Sequence, residues 1–154
     1  MSLSFTQAIQ ATSIVTLSLW IKVLYSNLVL GGAKVKAGKR APEDTYQMSQ
    51  DRAKPEALAE VDRTQRIVNN DMENVPYGLI LAWGSIFCLS RLATVDDQLY
   101  TAHSVLVAVF GGMRVGHTIA YRFALSYTRS ALWLGGVLST IGLGVVAIVA
   151  SFRA

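Results

Sequence analysis

The sequence predicts an all-α membrane protein built as a bundle of four transmembrane helices. Three observations predict it. Apolar residues make up 52% of the chain and gather in four blocks, each near membrane length. Charged residues are only 16% and fall mostly between the blocks. Glycines recur at close-packing intervals, as at Gly112 and Gly116 and again at Gly135, Gly136, Gly142 and Gly144. Lipid offers the backbone no hydrogen-bond partners, so apolar runs of this length satisfy themselves as helices. Small residues then let those helices approach closely.

The first span is expected over about residues 8–32, enough helix to cross a hydrocarbon core of roughly 30 Å. No basic stretch precedes it and it is too long for a cleavable leader, so it reads as a retained span. Lys22 lies inside it and must face protein or water, because a charge in lipid is expensive. A polar connection follows over about 34–62, rich in both Lys/Arg and Asp/Glu and broken by Pro42 and Pro55. A connection of this length is expected to be ordered by function or by a partner. The second helix is expected to begin near Glu56, with a polar first half. Its membrane part spans about 74–91, kinked at Pro76. A turn at Asp96 and Asp97 leads to the third span, about 99–123. A turn holding Tyr127 and Arg129 leads to the last, about 131–152, a block with no charge. The whole chain reads as one integral membrane domain.

The net charge of +4 sits mainly in the connections, which orients a membrane protein rather than marking a nucleic-acid binder. The first and third connections carry most of the Lys and Arg, which places both in the cytoplasm. Endoplasmic reticulum and bacterial inner membrane both satisfy that rule. A single cysteine, Cys88, excludes an intrachain disulfide and any cysteine-based metal site; it reads as a small buried hydrophobe. His103 and His117 are about 21 Å apart along one helix and cannot share a metal. His103, Trp83 and Trp133 are expected at the membrane interface.

Two helical stretches are too polar for their depth. In one, Arg63, Arg66, Asn70, Glu73 and Asn74 recur at spacings of three and four and so share a face. In the other, Arg114, His117 and Tyr121 do the same, with Arg129 and Ser130 just beyond. Both stripes lie toward the cytoplasmic ends of their helices and can face each other. Arginines grip carboxylates, Glu73 takes an ammonium, and Asn70 and Tyr121 bond peptide groups. Glutathione has that shape, with two carboxylates, an amine, two peptide links and a thiol. The alternative is structural: a helix-end ion network, or Arg114 paired with Glu73 or Asp71 to let the bundle assemble. Lys22 reads equally as a counter-ion or a site residue.

At these residues the chain resembles the MAPEG family, membrane-associated proteins in eicosanoid and glutathione metabolism. The resemblance rests on Pro42-Glu43-Asp44, on Asn70-Asp71-Met72-Glu73-Asn74 with Pro76, and on the run from Arg114 through His117 and Thr118 to Tyr121. It is nearest to the microsomal glutathione transferase and prostaglandin E synthase branch. The resemblance implies a homotrimer binding glutathione between subunits at the cytoplasmic side. It places Lys34, Arg66, Asn70, Glu73, Arg114, His117 and Tyr121 around glutathione, Arg129 and Ser130 beside the sulfur as catalytic groups, and Asp44 in the same region. Lys34 stands where the family often has arginine. Asn69 and Val68 depart from the pattern, and the turn between Tyr121 and Arg129 is one residue shorter.

The expected activity is transfer of glutathione thiolate to a hydrophobic electrophile drawn from membrane lipid, with reduction of lipid hydroperoxides as a further possibility. The alternatives are glutathione-dependent prostaglandin H to E isomerisation, a non-catalytic lipid-binding member, and a small transporter with Arg114 and Lys22 lining its pathway.

Overall fold

The computed structural model describes residues 3–39, 43 and 54–154, and these form four α-helices. α1 is Phe5–Lys36, α2 Pro55–Leu89, α3 Asp97–Arg122 and α4 Ser126–Ser151. Three of the four helices begin on a local signal. Ser4 and Gln7 form a reciprocal cap on α1, Ser4 Oγ accepting from the Gln7 N–H. Pro55 occupies the first turn of α2, where its missing N–H costs nothing. Asp96 caps α3 by accepting from the N–H groups of Gln98 and Leu99.

The helices run up and down. Leu3 donates to Thr101 Oγ1 at 2.9 Å, and Arg153 bonds Asp96 at 2.5 Å, so the start of α1, the α2–α3 turn and the end of α4 meet at one end. α2 packs against all three other helices, and α3 also packs against α1 and α4. α1, α3 and α4 are long and apolar enough to cross a membrane. Their outward faces carry Trp20, Leu28, Leu138 and Ile141, all more than half exposed. An apolar surface of this kind belongs against lipid.

The helices overrun the apolar blocks. α1 continues to Lys36 and α2 starts at Pro55, so the polar connection is shorter than 34–62. α2 runs unbroken through Pro76. α4 begins at Ser126, so Tyr127, Arg129 and Ser130 stand on its first turns and not in a turn before it. The reason is that apolar length reports membrane depth, whereas a helix continues until a breaker stops it. No proline or glycine lies between Ser126 and Ala131.

His103 is the clearest departure from expectation. It is fully buried, with Nε2 2.7 Å from Thr12 Oγ1 and Nδ1 2.5 Å from Ser85 Oγ. Its partners come from α1 and α2, which cover the face of α3 that was expected at the interface. Trp83 and Trp133 are both partly exposed. Cys88 is partly buried against the cluster of Ala8, Ile86, Leu89 and Tyr100.

Candidate functional site

The two polar stripes meet. The first lies on α2 and the second on α3, and they touch where the Arg114 guanidinium donates to the side-chain oxygen of Asn70 and, at 3.4 Å, to its backbone carbonyl. Close approach of α4 completes a groove beside them. Gly116 packs against Leu132, Gly135 against Met113, and Gly136 against the Arg114 side chain. The α3–α4 turn is tight: Ala124 takes a positive φ of 56°, and the Leu125 N–H bonds back to the Ala120 carbonyl at 2.9 Å. That reversal brings Arg129 over the Tyr121 ring, its guanidinium carbon 4.5 Å from the centroid. A cation at this distance is attracted by the ring face.

Three adjoining cavities lie along the groove. The outermost, of about 340 Å³, is lined by Arg63, Arg66, Tyr121, Ala124 and Arg129, with Asp62. The middle one, of about 540 Å³, is lined by Asn70, His117, Tyr121, Arg129 and Ser130, and on its apolar side by Trp133 and Leu134. The third, of about 130 Å³, holds Glu73, Asn74, Tyr77 and Arg114. Tyr121 and Arg129 belong to the first two, and the Asn70–Arg114 bond joins the second to the third.

Eight of the ten expected site residues therefore line this groove: Arg66, Asn70, Glu73, Arg114, His117, Tyr121, Arg129 and Ser130. Lys34 does not; it stands near the end of α1, half-buried, on a helix that lines none of the three cavities. Asp44 lies outside the described residues, as does Pro42.

The inner wall of the groove is charged. Asp71 and Arg114 are each 1% exposed. Asp71 Oδ1 pairs with Lys22 of α1 on one side and with Arg114 Nη2, at 3.3 Å, on the other. Arg114 thus takes Asp71 and Asn70 as partners, and Lys22 is a counter-ion to Asp71. Among the described residues, three buried side-chain atoms lack a hydrogen-bond partner: Asp71 Oδ2, Arg114 Nε and His117 Nδ1. Orphaned buried polar atoms are costly and uncommon, and they cluster here at one place. Sequence reasoning missed Trp133 and Leu134 as groove residues and gave Asp71 no site role. The adjacency of Asp71 to Asn70 and the presence of Lys22 at membrane depth were the available signals.

Fold and groove together define a multi-pass integral membrane protein with a polar, cation-rich pocket at one end of its bundle. The MAPEG family model matches residues 11–149, and the chain belongs to that family. It is a membrane protein of the glutathione- and eicosanoid-related kind, most of whose members are glutathione-dependent enzymes. No curated protein matches the chain by sequence.

Proposed function

We propose that this protein binds glutathione in the α2–α3–α4 groove and transfers it to hydrophobic electrophiles, as a microsomal-type glutathione transferase. One observation carries the reading: Asn70, His117, Tyr121, Arg129 and Ser130 surround a single cavity of about 540 Å³, with unpartnered atoms of Arg114 and His117 in the same region. The donor set suits a zwitterionic tripeptide. Arg66 and Arg114 answer its carboxylates, Glu73 its ammonium, and Asn70 and Tyr121 its peptide links.

When bound, glutathione supplies a thiol. Its anion forms a carbon–sulfur bond, the leaving group departs with its electron pair, and the thiol proton passes to water. A free thiol titrates near pH ~8.5, so most of it is neutral at pH 7. Arg129 places a fixed positive charge at the cavity wall, which favours the anion. Stacking on Tyr121 holds that charge in position. Ser130, one residue on, offers a hydroxyl donor. Trp133 and Leu134 line the cavity toward the lipid-facing side of α4 and make a path for a substrate dissolved in the membrane.

In this reading the groove opens to the cytoplasm, in endoplasmic reticulum or a bacterial inner membrane. The chain assembles as a homotrimer, and Lys34, which lies away from its own groove, serves that of a neighbouring copy.

Calorimetric titration of the detergent-solubilised protein with glutathione tests the binding; absence of saturable heat overturns it. Arg129→Leu tests the chemistry. Turnover of a chloronitrobenzene acceptor at saturating glutathione should fall about a hundredfold, as when an anion-stabilising donor is removed. The dissociation constant should change far less. Unchanged turnover at saturation would remove Arg129 from that role.

A further inference from the structure

We propose that Asp71 is a positioning residue for the groove: its carboxylate fixes the Arg114 guanidinium so that the remaining N–H groups meet an anionic group of the ligand. The proposal rests on the glutathione reading above.

The geometry is specific. The Arg114 hydrogen bonds to Asp71 and Asn70 all fall on Nη2. The guanidinium is anchored by one corner, and its Nε has no partner among the described residues. Arg114 also lines the innermost cavity, beside Glu73 and Asn74. An arginine side chain has several rotatable bonds and loses much freedom when ordered. A carboxylate that holds it beforehand removes that cost from binding.

The charges point the same way. Two cations inside the bundle, Lys22 and the buried Arg114, share the carboxylate of Asp71. Buried charge in excess of its partners is expensive at membrane depth. An anionic group arriving at the remaining N–H groups of Arg114 relieves that excess, and this is what a ligand carboxylate provides.

A purely structural role, in which Asp71 only neutralises cations so that the bundle assembles, makes a different prediction. The double variant Lys22→Met/Asp71→Asn removes one positive and one negative charge and leaves the buried balance unchanged. If Asp71 positions Arg114, this variant should melt close to wild type yet bind glutathione about tenfold more weakly by calorimetry, the equivalent of one charge-assisted hydrogen bond. The loss should appear in KM for glutathione and not in turnover at saturation. Asp71→Glu keeps the charge but moves the carboxylate by one methylene, and it should show the same split; it carries the test alone if the double variant does not fold. Wild-type affinity in either folded variant overturns the positioning role. A wild-type protein that binds no glutathione overturns instead the reading on which the proposal stands.

Discussion

His103 ties three helices together through one ring. The Thr12 hydroxyl donates to the Ala8 carbonyl at 2.8 Å and meets His103 Nε2 at 2.7 Å, while Nδ1 meets the Ser85 hydroxyl at 2.5 Å. Both ring nitrogens therefore have a hydroxyl partner, each from a different helix. His103→Leu should cost about 1–3 kcal/mol of stability, the usual penalty for a buried polar group left without its partner. It should leave glutathione affinity unchanged, since position 103 lies about 21 Å of helix rise from His117. Thermal unfolding and calorimetry on the same sample check both halves, and a large drop in affinity would show that the two ends of the bundle are coupled. Nothing local in the sequence marks this clamp, because Thr12 and Ser85 are 91 and 18 residues away. Asp71 was obscure for a related reason. The stripe from Arg66 to Asn74 is legible as a face, but Asp71 points off it, toward α1 and α3; its pairing with Arg114 was one of the structural alternatives, and only the packing shows that Lys22 shares it.

At the scale of helices, spacing was informative and boundaries were not. The recurrence of polar residues at three and four correctly placed the faces of α2 and α3 that meet, since helical geometry alone determines which residues share a side. The glycines likewise mark where α4 reaches α3. Close packing makes one glycine of α2 intolerant of change. A Cβ at Gly78 would stand 2.1 Å from the ring of Phe110, itself fully buried. Gly78→Ala should therefore destabilise the protein by about 1–3 kcal/mol through overpacking, read as a lower melting temperature. The α3–α4 turn predicts the opposite sign. Ala124 holds a left-handed backbone that glycine adopts without strain. Ala124→Gly should raise stability by about 0.5–1 kcal/mol, and a lower melting temperature would mean that the turn is not strained.

For the molecule as a whole, composition and the four apolar blocks were enough to expect a membrane bundle, because lipid permits few other ways to satisfy a backbone. They did not say which helices would be central. α2 packs against all three others although its first half is the most polar part of the bundle, and it is not among the helices apolar enough to cross a membrane by composition. α3 packs against all three others as well, and it bears the second polar stripe, so the two helices that line the groove are the two at the centre of the bundle.

Lys22 and Asp71 carry a consequence for biogenesis. The counter-ion of Lys22 is synthesised 49 residues after it. When α1 reaches the translocon it therefore bears an unanswered charge near its middle, and it gains full compatibility with lipid only after α2 has emerged. The first two helices should accordingly partition as a hairpin. In a glycosylation-reporter assay, α1 alone should insert less efficiently than α1 followed by α2, and Lys22→Leu should abolish the difference. Equal insertion of both forms would show that Lys22 reaches the headgroups unaided.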